Sequence, residues 1–141
     1  MFSDWFSTTT SSNKANFEDV QYAIKHSKDF IIINTLSITD QDCLILGTIT
    51  AYQEETIIND IISRIDVPDK RVIIYGRNSS DNSPEKKYKQ LQNLGIIEIA
   101  IYSGGLFEWL LLQDIYGNKA FPTTKKNADL LRFKSDKLFI L

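Results

Sequence analysis

The chain has 141 residues, 43% hydrophobic and 24% charged, with a formal net charge of −2. That length and apolar content suit one domain able to bury a core, and exclude a disordered polymer. The scattered, nearly balanced charge leaves no electrostatic footprint for nucleic acid, and a single Cys43 with a single His26 excludes a disulfide framework and an ordinary zinc site.

Residues 1–16 read as a flexible lead-in, because 7–16 are small, polar or β-branched. Its first residues, Met1 to Phe6, lack a basic stretch followed by an apolar one, so no secretory signal is expected. Residues 17–141 read as a single domain. Asn16 is placed to cap a helix over 17–26, with Glu18 and Asp19 in its first turn. Residues 30–33 form a short continuous apolar run, the mark of a strand covered on both faces, and 44–46 form a second, shorter one. Ile57, Ile58, Ile61, Ile62 and Ile65 recur at helical spacing within 53–65, and Pro68 ends that segment before a strand at 72–75.

Ser83, Pro84 and Glu85 form a helix start with Pro at its first position. The helix is expected to turn Tyr88, Leu91 and Leu94 inward and to stop at Gly95. A covered strand at 96–101 and a helix at 106–116, ended by Gly117, complete the alternation. Strands built of continuous Ile and Val runs, alternating with helices, predict an α/β fold: a central, mainly parallel sheet of about five strands with helices on both faces. The apolar tail at 138–141 reads as an edge strand, a helix cover or a partner-binding end.

The order of features after residue 71 is the most specific signal. Val72, Ile73, Ile74 and Tyr75 lead into the loop Gly76, Arg77, Asn78, Ser79, Ser80, Asp81, Asn82 and Ser83, followed by a helix. Some twenty residues on, Gly104 and Gly105 precede Leu106, Phe107, Glu108 and Trp109. This order resembles the back half of a rhodanese-like domain, in which a strand, a catalytic loop and a helix precede a strand ending in Gly-Gly-x-x-x-Trp. The likeness covers about residues 17–117 and implies a three-layer rhodanese-like fold. Asn34, Thr35 and Leu36 stand where that family has a pattern like Asp-Val-Arg, and Gly47, Thr48 and Ile49 resemble its Gly-His-Ile. The block from Gly104 to Thr124 resembles a subgroup found in eukaryotes and large DNA viruses.

The resemblance also bears on chemistry. Active members carry sulfur on a cysteine at the position of Gly76, held in a loop whose N–H groups and following helix dipole cradle an anion. Glycine has no atom to accept sulfur. Asp81, or Asn82 with another gap placement, stands near a position that is often basic, and an acid there opposes anion binding. Ser79, Ser80 and Ser83 offer hydroxyls but no general base to activate them. The reading is therefore a catalytically inactive rhodanese-like domain acting as a binding or regulatory module, with no catalytic residue in the degenerate loop 76–83.

Arg77, Asn78, Ser79 and Ser80 are the candidate contact residues, toward a protein partner or a small anion. No metal, cofactor, nucleic acid or membrane partner is expected, and the location is expected to be cytoplasmic, in the host cytoplasm for a viral protein. Two alternatives stand beside it: a divergent sulfurtransferase or phosphatase-like enzyme, and an oligomeric structural protein whose apolar ends, Trp5 with Phe6 and 138–141, build a homodimer.

Other residues have plainer readings beside their sharper ones. Cys43 reads as a buried structural thiol, since the neighbouring Asp42 would raise its pKa. His26 reads as a helix C-terminal residue. Trp109 reads as core beneath the loop rather than a ligand shelf with Phe107. Glu108 and Asp114 do not share a helix face, and Lys86, Lys87 and Lys89 read as a solvated face that lies near the loop.

Overall fold

Each apolar run serves two cores, because side chains alternate across a pleated strand. In the computed structural model, which describes residues 11–63, 70–127 and 129–139, the runs become the strands β2 (Phe30–Asn34), β3 (Arg71–Tyr75) and β4 (Ile99–Tyr102). A two-residue strand, β1 (Lys14–Ala15), precedes them. The sheet order is β1-β4-β3-β2 and every pairing is parallel. Among the described residues three α-helices connect the strands, α1 (Phe17–Lys25), α2 (Ala51–Ser63) and α3 (Ser83–Asn93), and a fourth, α4 (Gly105–Tyr116), follows β4.

Ile32, Ile73, Tyr75 and Tyr102 face one core, with Val20 and Ala23 of α1 and Leu106, Trp109 and Leu110 of α4. Ile31, Ile33, Val72, Ile74, Ile99 and Ile101 face the other, with Ile58 of α2 and Tyr88 and Leu91 of α3. The result is the expected α/β sandwich of a parallel sheet between helices. Burying both faces is what parallel sheets require, and it explains why their strands read as uninterrupted apolar runs rather than as alternation.

Several local expectations hold for the reasons given. Asn16 caps α1 through a reciprocal box, its side chain accepting from the Asp19 N–H while the Asp19 carboxylate accepts from the Asn16 N–H. Others need correction. Among the described residues the sheet has four strands rather than about five. The run at 44–46 forms no strand: Ile45 makes one bridge to Thr123 and Thr48 one to Ile32, because Gly47 turns the chain at φ +90° between them.

Conversely, Lys14 and Ala15, placed in the flexible lead-in, pair with Ile101 and Tyr102 as the edge strand. The strand expected at 96–101 begins at Ile99, while Ile96 is buried ahead of it as core. Leu94 is 47% exposed, since α3 ends at Asn93 and the chain turns outward there. Leu138 and Phe139 are exposed and lie in neither strand nor helix. The expectations for Trp5, Phe6, Ile65, Pro68, Ile140 and Leu141 lie outside the described residues.

Candidate site at the carboxyl ends of the strands

In a parallel sheet the loops beyond the strand ends meet the helix N-termini, and ligand sites of α/β proteins collect there. The turn after β3 is built this way. The main chain of Gly76 and Arg77 supports the start of α4: the Leu106 N–H donates to the Gly76 carbonyl and the Phe107 N–H to the Arg77 carbonyl, both at 2.9 Å. These are orphan N–H groups of a helix first turn, satisfied here by the loop. Gly105 permits the approach. It sits at φ +67°, and a Cβ there would lie 2.8 Å from the Asn78 nitrogen and 2.8 Å from the Gly76 oxygen. Trp109 then anchors α4, fully buried, with its indole N–H donating to the Pro122 carbonyl at 3.1 Å. The core reading of Trp109 holds.

Inside the turn, the anion cradle is occupied by the chain itself. The Asp81 carboxylate accepts from the Arg77 N–H at 2.9 Å, from the Ser83 N–H at 2.9 Å and from the Ser83 hydroxyl at 2.8 Å. Burial alone would raise its pKa. The three hydrogen bonds, with the charge of Arg77, outweigh burial and hold it below its ordinary value. A side chain at Gly76 would run into this carboxylate and would stand 2.9 Å from Cγ of Pro84. The position is thus sterically closed as well as chemically empty.

Arg77 and Asn78 are committed elsewhere. The Arg77 guanidinium donates to Asp40 at 2.7 Å and to the Arg132 carbonyl. Asp40 also receives Arg132 at 2.6 Å, and both guanidinium groups lie over the buried ring of Phe133, at 5.2 and 5.5 Å from its centroid. Asn78 is buried. Its side-chain N–H donates to the Phe133 carbonyl at 2.9 Å, and its oxygen accepts from the Ser80 N–H at 2.9 Å. A C-terminal 3₁₀ turn (Leu130–Phe133) is thereby strapped across the loop. At Asp40, burial is outweighed by the Ser37 hydroxyl and the two arginines, and its pKa is lowered.

Of the four candidate contact residues, Ser79 and Ser80 are exposed, Arg77 is partly exposed and Asn78 is buried. Asp40, Arg132 and Phe133 were not singled out by sequence reading. Arg77 lies 37 residues from Asp40 and 55 from Arg132, so no local pattern joins them.

The remaining sequence candidates are structural. Cys43 is buried with its thiol donating to the Lys125 carbonyl at 3.2 Å, and burial, reinforced by Asp42, pushes its pKa up. Thr48 completes a closed ring of hydrogen bonds. Its hydroxyl donates to the Ile45 carbonyl at 2.6 Å and lies 2.8 Å from the Tyr75 hydroxyl, which accepts from the Ile45 N–H at 3.1 Å. His26 ends α1 and stacks on Tyr22, with 3.8 Å between ring centroids. The Tyr102 hydroxyl is buried without a hydrogen-bond partner, and burial together with the nearby Glu108 carboxylate pushes its pKa up. Among the described residues no cluster of three or more His, Cys, Asp or Glu could hold a metal, and no helix is long and apolar enough to cross a membrane.

The strand order, the flanking helices and the loop between β3 and α3 define a rhodanese-like fold. Solved structures that share it include the BH2092 protein of Bacillus halodurans, with a TM-score of 0.56 at 16% identity over 82% of this chain and 80% of that one. A rhodanese-like domain of the Alr3790 protein from Anabaena sp. gives 0.54 at 17% identity over 93% of this chain and 92% of that one. Thiosulfate sulfurtransferase from Pseudomonas aeruginosa gives 0.55 at 20% identity, covering 71% of this chain and 19% of that longer one. At such identities the likeness is one of fold. No protein-family model and no curated protein matches the sequence.

Proposed function

We propose that this protein is a catalytically silent rhodanese-fold domain that acts as a binding or regulatory module. The observation that carries the reading is the Asp81 carboxylate lodged in the anion cradle, against a Gly76 that has no side chain. Rhodanese-type sulfur transfer needs a thiolate at that point and a vacant cradle for the oxyanion it releases. Neither is offered by this loop. Cys43 is no substitute, being buried and engaged with a backbone carbonyl. The proposed contact surface is the exposed tip, Ser79 and Ser80, shaped from beneath by Arg77 and Asn78, and the proposed partner is a protein, since the internal carboxylate opposes a small anion in the loop.

The test is thiocyanate formation from thiosulfate and cyanide. The wild type and Cys43→Ser should both be silent. Gly76→Cys alone should stay silent because Asp81 and Pro84 crowd the position, whereas Gly76→Cys combined with Asp81→Gly and Pro84→Ala should gain turnover. Turnover by the wild type that vanishes in Cys43→Ser would establish the sulfurtransferase alternative instead.

A further inference from the structure

A second opening lies beside the loop, at the end of the neighbouring strand. Asn34 closes β2, and beyond it a cleft of about 340 Å³ separates the start of α2 from the first turns of α3. That volume falls at the lower end of the range of small-molecule sites. Asn34 lines the cleft and is only 8% exposed. Its side-chain oxygen accepts from the Leu36 N–H at 3.1 Å, which fixes the orientation of the amide. Its NH₂ group therefore faces away from Leu36, and no protein group among the described residues accepts from it. Open to the cleft and without a protein acceptor, this donor is left to water or to whatever acceptor occupies the cleft.

The charges on the same walls point to the character of that acceptor. Lys86 and Lys87 both line the cleft. Lys87 is neutralised by Glu54 at 3.2 Å, with both side chains largely covered. Lys86 has no ion-pair partner among the described residues and leaves one uncompensated positive charge at the rim. Gln90, one helical turn along α3 from Lys86, adds a further amide to the wall. A fixed N–H donor facing the cleft, a free ammonium at the rim and a further amide on the wall suit a small oxyanion, which accepts hydrogen bonds in every direction.

We propose that this cleft binds a small organic anion, through a carboxylate or phosphate group held by the Asn34 amide and Lys86. The cleft borders the turn filled by Asp81, with Ser83 on its wall, but Asn34 and Lys86 are not among the groups that Asp81 binds, and the proposal does not depend on whether that turn is silent. The tip at Ser79 and Ser80 and the cleft are therefore tested independently.

The experiment is an amide NMR titration of the full chain with inorganic phosphate and with acetate, against chloride at equal ionic strength. Saturable shifts at Asn34, Leu36, Lys86 and Gln90 are expected with at least one of the two. Saturation by phosphate alone marks a phosphate ester as the ligand group, and by acetate alone a carboxylate. Lys86→Glu, on an exposed side chain, should weaken binding at least tenfold while the spectrum stays dispersed. Asn34→Asp keeps the acceptor for Leu36 but replaces the donor with a negative charge, and should abolish saturation. No saturation with either anion, shifts that survive Lys86→Glu, or shifts centred on 76–82 would each overturn the proposal.

Discussion

Asn34 and Tyr75 are register partners on adjacent parallel strands, yet the chain beyond them is handled in opposite ways. Past Tyr75 the turn is closed by its own groups. Asp81 takes the inward-facing donors, the turn's carbonyls take the first N–H groups of α4, and a segment from the end of the chain is strapped over Arg77 and Asn78. Past Asn34 a cleft remains, with an amide donor that has no protein acceptor among the described residues and an uncompensated lysine on its walls. The two regions share a strand geometry and a helix, α3, and differ in whether an internal acceptor was supplied. A fold that sets several helix N-termini at one edge of a sheet can close one site without closing its neighbour.

The contrast predicts an ordered series of effects on stability, readable by urea or thermal unfolding. Trp109→Ala should cost the most, about 3–5 kcal/mol, because it empties the fully buried anchor beneath the closed turn. Gly105→Ala should cost about 2–4 kcal/mol, combining a left-handed backbone with a Cβ driven into main-chain atoms that cannot yield. A Gly105→Ala protein as stable as the wild type would show that the turn does not pack on α4 as described.

Asp40→Ala should cost about 1–3 kcal/mol, since both Arg77 and Arg132 lose their shared carboxylate while staying partly covered and keep only backbone carbonyl acceptors. It should also release the strap, seen as faster amide exchange at Phe133. Lys86→Glu should change stability by no more than about 0.5 kcal/mol, as expected for an exposed side chain with no partner to lose. A larger loss there would mean that the cleft, too, is internally closed.

Acid should separate the two regions further. Asp81 and Asp40 have folded-state pKa values below their ordinary ones, so the unfolded chain binds protons first as the pH falls. The stability they supply is complete above the ordinary carboxylate value of about 4 and is lost as the pH drops through their lowered values. The wild type should therefore lose stability below about pH 4, and a doubly substituted Asp40→Asn, Asp81→Asn chain should lose less over that interval. Equal slopes for the two proteins would remove the argument that these carboxylates are held ionised by the turn.

Much of the fold was legible in the sequence because its causes are local or periodic. The runs at 30–33 and 72–75 are apolar at every position, and only a strand buried on both faces needs that. Asn16, Pro84, Gly95 and Gly117 mark helix ends through backbone chemistry carried by single residues. Residues 44–46 misled because an apolar triplet is too short to distinguish a strand from a buried crossing. Lys14 and Ala15 were missed because their strand exists only through the partners that β4 presents. At the site, the absence of a side chain at Gly76 and the presence of an acid at Asp81 could be read directly.

What the sequence by itself determined is the alternation of strands and helices, the lack of a side chain at position 76 and the burial of Trp109 and Cys43. Each follows from residue identity and short-range spacing. Only the tertiary structure decided that Asp81 fills the cradle, that Asp40, Arg132 and Phe133 hold Arg77, and that Asn34 is left with a donor facing a cleft. Those outcomes depend on directed hydrogen bonds between atoms far apart in the chain, and no periodicity encodes the direction of a bond.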